Sequence, residues 1–140
     1  MATGRFLIDT NVISELRKRR RSNKVVEWIA TVPDDGAHIS VVTIGEIAKG
    51  IAKRRDSKEH AREADELQAW FEGLLASYSD RILPIDVSVA VRWGRLCNEH
   101  PQLATDMLIA ATALEHELTV ATRNVAHFRT AGVATFNPFQ

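Results

Sequence analysis

The stretch from Arg5 to Leu16, RFLIDTNVISEL, runs three apolar residues straight into Asp9. A carboxylate at the end of a buried strand is costly unless a partner compensates it. Two further acids share that context. Glu46 lies in TIGEIAKGI, read as the first turn of the helix after the second strand, and Asp106 opens DMLIAATALEHE ahead of the strand LTVAT. If the fold brings the three carboxylates to one edge, they repel one another, and one pKa rises sharply unless a cation neutralises them. Hard oxygen ligands without a cysteine cluster suit Mg²⁺ or Mn²⁺ rather than zinc. An ion held in this way polarises a phosphoryl oxygen and generates hydroxide from bound water. The chemistry these residue types point to is hydrolysis of a phosphodiester.

Each acid also has a purely structural reading. Asp9 is able to cap the helix that follows it. TIGE matches a capping box, in which Thr43 and Glu46 exchange hydrogen bonds with helix-start amides. Asp106 is favourable near the positive end of a helix dipole. What raises the three above these readings is their order at three junctions of one α/β pattern.

The elements that must position them are legible as alternating strands and helices. RFLID reads as a short buried strand, followed by a helix capped by Thr10 and running to about Lys18. Ser22 or Asn23 caps KVVEWIATV, which stops before Pro33. AHISVVT reads as a strand and Thr43 as the start of the next helix, with Ile44, Ile47, Ala48 and Ile51 on one side. Ser57 to Tyr78 reads as one long amphipathic helix whose polar first half projects from the body. RILPID is a brief strand, Asp86 caps VSVAVRWGRLCNEH, Thr105 begins DMLIAATALEHE, and LTVAT and VATFNP are the last strands. Strands separated by helical patterns predict an α/β fold with a parallel sheet.

The chain has 140 residues, the size of one domain, and neither repeats nor a linker divide it. A single cysteine, Cys97, excludes an internal disulfide and a Cys-rich zinc site. The N-terminal residues show no basic start with a long apolar run, and no stretch reaches the ~18 apolar residues of a membrane span. The expectation is a soluble, cytoplasmic protein with no membrane attachment. The net charge of zero gives no overall attraction to nucleic acid. The charge is uneven, however. RKRRRSNK, Arg17 to Lys24, holds six basic residues and Lys53 to Arg55 three more. They form either a solvated helix end and loop or a phosphate-contacting rim. Trp28, Trp70 and Trp93 sit at apolar helical positions, Cys97 reads as a small buried hydrophobe, and Glu15 as a solvated or partner-facing residue.

Taken together, LIDTNVISE, TIGEIAKGI, RILPID, TDMLIAATALEHELTVATRN and VATFNPF make the chain similar to PIN-domain ribonucleases, the toxins of VapBC-type toxin–antitoxin pairs, with the FitB-like branch nearest. The resemblance runs from Phe6 to Phe139. It implies a single PIN domain over 1–140. The implied architecture is a three-layer sandwich with a central parallel sheet of about four or five strands flanked by helices. It further implies a homodimer, Mg²⁺-dependent cleavage of RNA with Mn²⁺ able to substitute, and a cognate VapB/FitA-like antitoxin through which alone DNA is bound. Carried onto this chain, the family's acids match Asp9, Glu46 and Asp106 as catalytic residues. Asp9 and Asp106 would be direct metal ligands, and Glu46 a ligand directly or through water. Asn11 and Thr122 match as donors that orient those ligands. A fourth family acid often stands where this chain has Asn124 or His127. The departure puts a two-metal mechanism in doubt and leaves Asn124 to orient a water or a substrate oxygen, with His127 read as a packed or surface histidine. A haloacid-dehalogenase-type phosphatase would want a second acid where Asn11 stands. The non-enzyme alternative is a non-cleaving PIN-like module that binds RNA or a partner.

Overall fold

The computed structural model describes residues 4–140. Five strands form one parallel sheet: β1 Phe6–Ile8, β2 Ala37–Ser40, β3 Ile82–Leu83, β4 Thr119–Ala121 and β5 Thr135–Phe136, in the order β3-β2-β1-β4-β5. Seven helices connect and flank them: α1 Thr10–Leu16, α2 Asn23–Thr31, α3 Val41–Arg55, α4 Ala61–Ser77, α5 Val87–Glu99, α6 Ala104–Glu115 and α7 Val125–Arg129. The α/β class, the parallel sheet and the strand count match the expectation.

The apolar run of β1 follows from burial on both faces, as parallel strands require. Phe6 and Ile8 enter one core with Val12, Val25, Trp28, Ile47 and Phe71. Leu7, pointing the other way, enters a second core with Met107, Ile109, Val120 and Phe128. Helices α1 to α4 therefore cover one face, and α5 to α7 the other. Trp28 meets Phe6 edge to face at 5.1 Å between ring centroids, and Trp93 donates from its indole nitrogen to the Ala104 carbonyl at 2.9 Å.

Several boundaries differ from the sequence reading. Asp9, not Thr10, is the N-cap of α1, its carboxylate accepting from the Thr10 amide. Ser22 caps α2 and Asp86 caps α5 as expected. Helix α3 begins at Val41 because the Ser40 hydroxyl accepts from the Val42 amide at 3.0 Å. Thr43 is thus inside the helix, TIGE is no capping box, and Glu46 stands in the second turn. Helix α6 begins at Ala104, after a 3₁₀ turn at Pro101–Leu103, and not at Thr105.

Helix α4 starts at Ala61 and does not project. Ala64, Leu67 and Phe71 are buried against α3, whose Ile47 and Ile51 complete that core. The basic residues at the end of α3 meet the acids of α4, with Arg54 3.5 Å from Glu63 and Arg55 2.9 Å from Asp65. The polar first half of α4 and the Lys53–Arg55 run are therefore two sides of one helical hairpin. Glu15 is also corrected: it is buried, not solvated. It accepts from the Ser22 amide at 2.8 Å and from Lys18 Nζ at 2.9 Å, and those donors hold its carboxyl below the usual range.

Candidate functional site

The strand order changes direction beside β1. The chain lays β2 and β3 to one side of it, then returns to place β4 and β5 on the other. Such a switch point opens a crevice at the carboxyl ends of the two diverging strands. Asp9 follows β1 there, and Thr122 follows β4. The two segments are locked in register, with Ile8 opposite Ala121 and the Asp9 amide donating to the Ala121 carbonyl at 2.9 Å.

Asp9 is only 4% exposed. One carboxylate oxygen, Oδ1, accepts from the Thr10 amide at 2.8 Å. The other, Oδ2, accepts from the Thr122 hydroxyl at 2.8 Å and the Asn11 amide group at 3.1 Å. Asn11 in turn accepts from the Arg123 amide at 3.1 Å, and the Asn124 amide donates to Thr122 Oγ1 at 2.9 Å. The side chain is therefore fixed from both strand ends. Desolvation by burial raises its pKa to about 6; the donors from Thr122 and Thr10 oppose the rise, and the charges of Asp106 and Glu46 add to it. Those two charges bear on Asp9 because the fold has brought the three acids to one edge.

Glu46 reaches that edge from α3. Its Oε1 accepts from the Thr10 hydroxyl at 2.7 Å, and Thr43 Oγ1 lies 3.0 Å from the same hydroxyl. Asp106 reaches it from the first turn of α6, with Oδ2 2.7 Å from His127 Nδ1 on α7. The sequence reading gave Thr10 only a capping role and left His127 as packing or surface. The structure puts the first on Glu46 and the second on Asp106. The segment TRNVAHF itself was the available signal, since it follows directly from the strand that carries Thr122. The Asn124 side chain is exposed and does not cap α7; its backbone amide is what reaches the network.

Each acid keeps oxygen capacity that no donor among the described residues uses: the second lone pair of Asp9 Oδ1, Asp106 Oδ1 and Glu46 Oε2. Among the described residues, no three His, Cys, Asp or Glu side chains form a ready metal-holding group. These two facts fit one kind of ion. Mg²⁺ keeps several waters and is usually held by one or two carboxylates together with substrate phosphates, not by an all-protein cage. The uncompensated, buried Asp9 carboxylate is the observation that calls for a cation at all.

A sequence profile of the family described as PIN domain matches residues 6–133. The chain is 35% identical to Toxin FitB of Neisseria gonorrhoeae, over 96% of this chain and 98% of that one. It is 30% identical to VapC ribonuclease Y4jK of Sinorhizobium fredii, again over 96% of this chain and 98% of the relative. The crystal structure of FitAcB from Neisseria gonorrhoeae superposes with a TM-score of 0.81 at 34% identity, covering 96% of this chain and 99% of that one.

Proposed function

Because the chain belongs to the PIN-domain family, we propose that it is a metal-dependent endoribonuclease and the toxin of a VapBC-type toxin–antitoxin pair. The observation that carries the reading is the buried Asp9 carboxylate at the switch point, with the charges of Glu46 and Asp106 bearing on it. A relative named VapC ribonuclease supports the class of reaction, and one named Toxin FitB supports the toxin role.

Asp9 and Asp106 hold Mg²⁺, or Mn²⁺ in its place, and Glu46 contributes directly or through a water. The chemistry a divalent ion supplies at such a site is polarisation of a phosphoryl oxygen and generation of hydroxide from water near neutral pH. Thr122 and Asn11 both donate to Asp9 Oδ2 and so keep the carboxylate in one orientation. Thr10 does the same for Glu46. Asn124 supplies an exposed amide beside the acids, able to orient a water or a substrate oxygen where the family often has a fourth acid.

The partner of this reading is a VapB/FitA-like antitoxin, with DNA bound only through it; a structural relative is FitAB bound to a DNA fragment. A cation from that partner, an Arg above all, compensates the same carboxylates that a metal would. A homodimer is part of the reading, and Val87 and Val91, 80% and 50% exposed one turn apart on α5, offer it an apolar face. Among the described residues, no helix is long and apolar enough to cross a membrane.

The test is to incubate purified protein with structured RNAs, in Mg²⁺ and in EDTA. Cleavage in Mg²⁺ that EDTA abolishes is the expected result. RNA that is bound but left intact in both would make the chain a non-cleaving PIN-like module.

A further inference from the structure

Beside the acids lies a cavity of about 690 Å³ of opposite character. Its walls include Arg123, Asn124, His127, Arg129, Phe136 and Asn137, and no residue lining it is acidic. Three other surface cavities each carry at least one glutamate. The cationic cavity is wired to the catalytic edge at two points. The Arg123 amide donates to Asn11, which holds Asp9, and His127 Nδ1 meets Asp106 at 2.7 Å. Among the described residues, neither Arg123 nor Arg129 has a carboxylate within ion-pair distance. Arg123 instead lies over the Phe139 ring, its guanidinium carbon 3.8 Å from the centroid. In the runs at 17–24 and 53–55, Lys18, Arg54 and Arg55 are paired with Glu15, Glu63 and Asp65, and neither run lies beside Asp106 as His127 does.

Phe136 adds a second feature. It packs on Trp28 at 5.4 Å and on Phe6 at 6.1 Å between centroids, yet stays 40% exposed at the cavity wall. A ring anchored on one side and open on the other is a stacking platform for an unpaired base. The acidic edge repels a phosphate backbone, so a polynucleotide that enters it needs cations close by. Unpaired guanidinium groups, side-chain amides and an open ring are the set that single-stranded nucleic acid uses.

Resting on the ribonuclease reading above, we propose that this cavity is the substrate subsite for the single-stranded RNA segment flanking the scissile phosphate. Arg129 and Arg123 contact backbone phosphates, and one unstacked base lies on Phe136.

The test measures binding of a fluorescein-labelled single-stranded RNA by anisotropy, in the Asp9→Asn background so that the RNA survives. Arg129→Ala, an exposed change, is expected to weaken binding and make the dependence of log K on log salt shallower by about 0.7, the value for one phosphate contact on a single strand. Phe136→Leu keeps an apolar side chain against Trp28 and removes the stacking surface, and is expected to weaken binding about fivefold or more. Arg62→Ala, at an exposed position of α4, is the control and changes neither. Affinity and salt slope unchanged in both Arg129→Ala and Phe136→Leu would overturn the subsite. A change in oligomeric state by sedimentation, with RNA affinity intact, would overturn it in favour of a protein interface. The two readings separate cleanly. RNA cleaved by the wild type, with both variants binding normally, removes the subsite and leaves the nuclease. RNA bound through Arg129 and Phe136, but never cut by the wild type, removes the nuclease and leaves the subsite.

Discussion

Asp9 and Asp106 reach the same edge of the sheet by opposite means. Asp9 is buried between two central strands and gripped by Thr10, Asn11 and Thr122. Asp106 stands on the first turn of α6, its side chain 24% exposed, with one partner, the half-exposed His127. The first carboxylate is placed by the fold and left electrostatically uncompensated. The second is solvated and adjustable. The edge thus joins one acid fixed at the sheet to a second, partly exposed one presented from the helical side.

The largest effect expected is on the reaction itself. Asp9→Asn and Asp106→Asn each remove a negative oxygen at the proposed ion, and each is expected to lower RNA cleavage by at least about a thousandfold, or about 4 kcal/mol of transition-state stabilisation. Single-turnover cleavage with circular dichroism of the same preparations checks it. Undiminished cleavage in either variant would take that residue out of the mechanism.

The same Asp9→Asn substitution separates the two acids by stability. With a folded pKa of about 6 against an ordinary 3.8, the native state binds more protons than the unfolded chain across that interval. Stability from this group is therefore present below about pH 4 and is lost as the pH rises through 6. In metal-free buffer at pH 8 the loss is about 3 kcal/mol, at 1.36 kcal/mol per unit. Asp9→Asn is expected to be more stable than the wild type at pH 8 by up to that amount, and the gain should vanish near pH 4. Urea melts at the two pH values read it directly. A variant equally unstable at both would show that burial does not strain this carboxylate.

Smaller effects test how each acid is held. Thr122→Val deletes the buried hydroxyl on Asp9 with little change of shape, and about a 10–100-fold loss of cleavage is expected. His127→Ala removes an exposed partner of Asp106 and is expected to lower cleavage by less than about tenfold. If His127→Ala proved the more damaging, the contrast between a fixed and an adjustable acid would be reversed.

Much of the candidate site was legible in the sequence because an acid beside a strongly apolar segment breaks the pattern. Asp9, Glu46 and Asp106 were each visible in that way. So was the alternation of strands and helices that sets β1 at the switch point. The rest depended on contacts between residues far apart in the chain. Thr10 looks like a cap, and its bond to Glu46 spans 36 residues. Ser40 took the start of α3 from Thr43 because a serine at a strand end is an equally good cap. The polar half of α4 looks free until the basic end of α3 is laid against it. His127 has no spacing that ties it to Asp106, and only the return of α7 across the sheet edge brings the two together.

The central claim is that Asp9 and Asp106 share a divalent cation that the native state alone can bind. Such an ion stabilises the protein by RT ln(1 + [L]/Kd). The direct measurement is the melting temperature at pH 8 across a millimolar titration of Mn²⁺ or Mg²⁺, in the wild type, Asp9→Asn and Asp106→Asn. The account predicts a rise in the wild type that is largely lost in both variants. An equal rise in all three would place the ion elsewhere and contradict it.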